Sequence, residues 1–114
     1  MSTDSMSSDP ASGGRLQVAL VTEVFFDDPE SRALRQVLAE AKERGADVAV
    51  LPELPLNAWA PATKEAKDED AEAPGGSRQR AMADAAAAVG VALIGGAIVR
   101  DPASGVRYNT AFLY

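Results

Sequence analysis

Glu53 is the residue best placed to do chemistry in this sequence of 114 residues. It follows a short apolar run in Val48-Ala-Val-Leu-Pro-Glu-Leu-Pro-Leu56. Ligand sites in α/β sheets gather just outside the carboxyl ends of strands, the position this glutamate would occupy. Pro52 and Pro55 stiffen the backbone on either side, and Leu54 and Leu56 make the surroundings apolar. A carboxylate partly stripped of water in such a place holds a proton more readily, as a general base must. For the tripeptide Leu-Pro-Glu alone, a solvated glutamate at a strand exit is the simpler reading. Trp59, the single tryptophan, lies in the same loop. It could line a pocket beside Glu53 or plug the loop against the core. Asn57 carries a similar ambiguity between a substrate contact and an Asx turn.

Other chemistries fail on composition or spacing. The sequence has no cysteine and no histidine. That removes disulfides, thiolate nucleophiles, Ser-His-Asp arrangements and the usual zinc sets. The acidic stretch from Asp68 to Glu72 has alanine where a calcium loop needs its glycine and glutamine where it needs its last glutamate, so it reads as a solvated loop. Gly95-Gly96 lies within an apolar run and lacks the spacing of a phosphate-binding loop; close packing or a bulge accounts for it. Asp27 and Asp28 lack the aspartate after a third strand that a phosphoacceptor domain would add. Neither a metal nor an organic cofactor is expected.

The elements that must position these residues follow from pattern. Residues 1–14, rich in Ser, Gly and Asp, read as a disordered tail, leaving 15–114 for one small domain. Hydrophobic residues make up 46% and charged residues 25%, so the chain is globular in kind. Eleven basic against seventeen acidic residues leave a net charge of −6, which disfavours nucleic acid and anionic membrane surfaces as partners. No apolar stretch approaches a membrane span, and the start lacks the features of a secretory signal, so a cytoplasmic location is expected. Residues 16–22 form a first strand. Asp28 and Pro29 open a helix whose stripe is Leu34, Val37, Leu38 and Ala41, and Gly45 closes it. Residues 46–51 form a second strand, parallel to the first through a crossover. A long Pro-containing connection leads to Ser77, the expected cap of a helix over 78–89 that ends at Gly90. A strand over 91–99, a turn at 101–105 and a returning strand over 108–114 complete the order β-α-β-α-β-β. An apolar strand pattern running to Tyr114 is expected of a piece of something longer.

In order and spacing these segments resemble the N-terminal portion of the nitrilase superfamily, the carbon–nitrogen hydrolases. The match runs through the first strand, Arg44-Gly-Ala-Asp-Val-Ala-Val-Leu-Pro-Glu-Leu-Pro-Leu56, Val89-Gly-Val-Ala-Leu-Ile-Gly-Gly-Ala97 and Tyr108-Asn-Thr-Ala111. The resemblance implies an α/β fold, part of an α-β-β-α sandwich, in an enzyme that is a homo-oligomer when full length. It implies a Glu-Lys-Cys triad that hydrolyses a small-molecule amide, N-carbamoyl compound or nitrile. Glu53 would be its general base and Trp59 an aromatic near the substrate, while Asn109 and Thr110 match a pair read as structural. The family's lysine and cysteine fall later than the segments matched here, and Lys64 and Lys67 do not match the lysine motif. The chain by itself is therefore expected to lack turnover. A reading of another class is a small α/β binding or interaction domain in which Glu53 is a surface carboxylate.

Overall fold

The computed structural model describes residues 14–58 and 67–114. Most of the expected tail, Trp59 and Lys64 lie outside the described residues. The described elements are strand β1 (Val18–Leu20), helix α1 (Arg32–Glu43), β2 (Val48–Val50), β3 (Ala71–Glu72), α2 (Ser77–Val89), β4 (Ala92–Arg100) and β5 (Arg107–Leu113). The expected order holds except for β3, a short strand inside the connection that was expected to carry no strand. Its residues, Ala-Glu after an acidic turn, carry no strand periodicity. They are extended because β4 offers a free edge at Ile98 and Val99.

β1 pairs parallel with β2, and β2 parallel with the first part of β4, as a crossover requires. β3 pairs parallel with the last part of β4, while β5 returns antiparallel along Ile94 to Arg100. A strand has two edges, so β2 and β3 share one edge of β4 in succession and β5 takes the other. The hairpin turn is held by Asp101, whose carboxylate accepts from the Ala103 N–H at 3.0 Å and the Ser104 hydroxyl at 2.8 Å. Those donors keep the Asp101 carboxyl below its ordinary pKa of 3.8.

The two helices pack on each other and on one face of the sheet. Leu34, Leu38 and Ala41 of α1 and Met82, Ala85 and Ala86 of α2 meet Ala49, Leu51 and Leu93 in one core. Gly95 is small because α2 sits on it: a Cβ there would lie 2.5 Å from Met82 Sδ. The opposite face carries Val18, Leu20, Ile94 and Leu113, and Leu20 and Leu113 are 77% and 72% exposed. The molecule thus has one helix layer and one sheet layer, an α/β fold with an open apolar sheet face, as half of the expected α-β-β-α sandwich would have.

Both helices begin against a carboxylate supplied from upstream. Asp28 accepts from the backbone N–H groups of Ala33 and Leu34 at 2.8 and 3.0 Å. It is the expected cap, but a 3₁₀ turn at Pro29–Ser31, with Glu30 and Ser31 at φ of 58° and 54°, separates it from α1. For α2 the expected cap is corrected. Ser77 is the first helical residue and makes no side-chain capping bond. Glu72 instead accepts from the N–H groups of Arg78 and Gln79, both at 3.0 Å, and from the Gln79 amide at 2.8 Å. The expectation that the whole stretch from Asp68 to Glu72 is solvated is corrected as well, because Glu72 is buried. At the C-terminus of α1, Gly45 takes φ of 90° while its N–H bonds Lys42 and the Ala46 N–H bonds Ala41, a Schellman closure.

Candidate active site

β2 delivers Glu53 to the carboxyl end of the parallel strands. Pairing continues past the strand, with the Leu51 N–H donating to the Ile94 carbonyl at 2.9 Å, and then breaks at Pro52. Beyond Glu53 the chain turns sharply. Leu54 adopts φ of 46°, a left-handed conformation that is strained for a branched, bulky residue. The turn sends Leu54, Pro55 and Asn57 into the interior and leaves Glu53 outside. Two bonds fix it there. The Phe25 N–H donates to the Pro55 carbonyl at 2.6 Å. The buried Asn57 side chain donates to the Asp70 carbonyl at 2.9 Å, tying this loop to the segment before β3. Asn57 therefore acts as a loop tie, neither of the two roles its type suggests from sequence.

The Glu53 carboxylate reaches β5. Asn109 donates its side-chain N–H to Glu53 Oε2 at 2.9 Å, a charge-assisted bond between residues far apart in the chain. The two come from strands on opposite edges of β4 and meet across its open face. Gly96 of β4 carries no side chain here; a Cβ there would stand 3.0 Å from the Thr110 carbonyl oxygen. A shallow cavity of about 200 Å³ is lined by Pro52, Glu53, Ile94, Gly96, Asn109 and Ala111, among others. Glu53 is exposed in this chain, so the expected partial desolvation of its carboxylate is not met by the described residues. Leu54, buried by the left-handed turn, lines the same cavity together with Leu51.

Asn109 is the residue that sequence reasoning assigns to structure and the geometry assigns to the site. Its sequence signal is weak, because Arg107 and Thr110 make other positions of β5 polar as well. Beside it, Arg107 and Arg100 face each other across the β4–β5 pair, and both guanidinium groups lie against Asp68. No group of His, Cys, Asp and Glu able to hold a metal ion occurs among the described residues. No described helix is long and apolar enough to cross a membrane.

What this arrangement can do is bounded: a carboxylate, oriented by a neutral donor at a strand exit, can accept a proton and return it. No curated protein matches the chain significantly. The family model for carbon–nitrogen hydrolases matches residues 17–114, a span that includes every strand and helix described above. With the strand-exit glutamate and the partial sandwich both inside that match, the chain belongs to the carbon–nitrogen hydrolase family.

Proposed function

We propose that this chain is the base-bearing portion of an enzyme that hydrolyses a non-peptide C–N bond in a small amide, N-carbamoyl compound or nitrile. The observation that carries the reading is the placement of Glu53. It stands at the carboxyl end of β2, beside a cavity, with one oxygen held by Asn109. The sequence contains no cysteine, so the nucleophilic thiol of the triad would come from outside these 114 residues, and the family resemblance implies the same for its lysine.

In the amide case Glu53 takes the proton of the thiol, and the thiolate attacks the carbonyl carbon. As the C–N bond breaks, the proton passes from Glu53 to the departing nitrogen, leaving a thioester. Water then gives a proton to Glu53 and attacks the thioester carbon; the thiolate leaves and recovers that proton. A lysine ammonium near the developing oxyanion would stabilise both addition steps. The open apolar sheet face supports the same reading. Leu20 and Leu113 are too exposed for a finished surface, and the second sheet of an α-β-β-α sandwich would cover them. Trp59 is proposed to line the substrate side of the pocket, and the complete enzyme to be a cytoplasmic homo-oligomer without a cofactor.

The test is ammonia or amine release by the natural polypeptide that carries this sequence, with panels of primary amides, N-carbamoyl amino acids and nitriles. Turnover of one class, lost on thiol alkylation, is expected. A natural polypeptide of 11.8 kDa that turns over none of them would overturn the proposal in favour of a binding domain.

A further inference from the structure

We propose that Asn109 is a positioning residue that sets the proton-accepting geometry of Glu53; this rests on Glu53 being the base. A glutamate side chain at a strand exit has three rotatable bonds, and its terminal torsion is broad. A base must be held far more closely than that, within about 0.5 Å and 10–20° of the productive pose. Glu53 has neither a described cation nor a described backbone N–H bonded to its carboxylate. What it has is the Asn109 amide, 2.9 Å from Oε2.

Three features make this bond a built one. First, the strained Leu54 at φ of 46° and the buried Pro55 fix the backbone immediately after Glu53, so the carboxylate is aimed rather than trailing. Second, Asn109 lies in a regular part of β5, paired with Ile98 on β4, so its own Cα is held by the ladder on one side. Third, Gly96 adds no side chain to the cavity that the pair lines. Asn109 occupies Oε2 and leaves Oε1, to which no described residue donates, as the oxygen that exchanges protons. An asparagine suits this role because it donates without adding charge. A lysine or arginine there would hold the carboxylate in its ionised form, and an aspartate would repel it.

The test combines two readouts. In the natural polypeptide, Asn109→Leu keeps the size and removes the donor. It is expected to lower kcat by about 100-fold, the cost of a misplaced catalytic group, with KM changed less than about threefold. Asn109→Gln, which restores a donor amide, is expected to recover part of the loss. In the 114-residue chain, nitrogen-15 NMR reads the Asn109 side-chain amide directly. Its donated proton is expected to move upfield in Glu53→Gln and to stay in place in Glu43→Gln, a change on the far end of α1. If Glu53→Gln abolishes turnover while Asn109→Leu leaves kcat unchanged, the positioning role fails and the base assignment stands. If Glu53→Gln leaves turnover intact, the base assignment itself fails and takes this inference with it. An Asn109 amide signal indifferent to Glu53→Gln overturns the bond on which the inference is built.

Discussion

At the scale of single residues, the site is a carboxylate whose freedom is removed by neighbours of unlike kinds: prolines, one strained leucine and one amide. A second residue whose surroundings matter is Tyr114. Its hydroxyl is buried with no hydrogen-bond partner among the described residues. Desolvation first, and the negative charge of Glu72 second, push its phenol above the ordinary value of 10.0. The folded state therefore keeps a proton that the unfolded chain loses. This contribution to stability is fully present below about pH 10 and is lost as pH rises through the folded value. Tyr114→Phe is expected to leave stability at pH 7 unchanged or slightly raised, since an unpaired hydroxyl is removed. It is also expected to flatten the decline in stability above pH 10, read by urea unfolding across that range. An identical alkaline slope in the variant would contradict the argument. Legibility at this scale is uneven. An apolar run stopped by Pro-Glu places Glu53 at a strand exit, where the local pattern alone favours a solvated carboxylate. Asn109 is invisible as its partner, because their meeting depends on the register of β5 against β4. No window of sequence contains that register.

At the scale of elements, each helix starts on a carboxylate that belongs to the preceding segment, Asp28 for α1 and Glu72 for α2. The capped amides are those at the second and third helical positions, whose donors have no partner inside the helix. Asp28 is readable because aspartate before proline is a helix-start signal. Glu72 is not, because it sits among acidic residues that look solvated and Ser77 offers a more familiar cap. Gly76 gives the only local hint. A Cβ there would fall 2.6 Å from Glu72 Cδ, so the glycine makes room for the capping side chain. Glu72 also accepts from Gln79 and pairs with Arg78 at 3.5 Å, which makes it the hub joining β3 to α2. Glu72→Ala is expected to cost about 2–3 kcal/mol, a lost cap plus buried donors left unpaired. The measurement is the urea midpoint, with Ser77→Ala as its comparison. A larger loss for Ser77→Ala would restore the serine as the cap. Among the longer elements, α1, α2 and β4 are legible from their apolar residues and the glycine or turn beyond each, and β5 from the turn that precedes it. β3 is not, since its existence is owed to the spare edge of β4.

At the scale of the whole molecule, one face of the sheet is buried under helices and the other is apolar and open. That asymmetry agrees with the family assignment, in which this chain supplies a partial sandwich. It also has a consequence for the chain by itself. A face bearing Val18, Leu20, Ile94 and Leu113 is expected to associate with copies of itself. Sedimentation velocity should show mass rising with concentration, and the pair Leu20→Lys with Leu113→Lys should hold the chain monomeric. A wild-type chain monomeric at every concentration would mean that this face tolerates water unaided. The same face holds the Glu53–Asn109 pair. All of the chemistry proposed for this chain depends on Glu53 being the base. The most direct measurement is kcat of the natural polypeptide against its Glu53→Gln variant, at saturating substrate and with unchanged folding by circular dichroism. Loss of general-base catalysis predicts a fall of at least about 100-fold. A Glu53→Gln enzyme that turns over within a few fold of the wild type would contradict it.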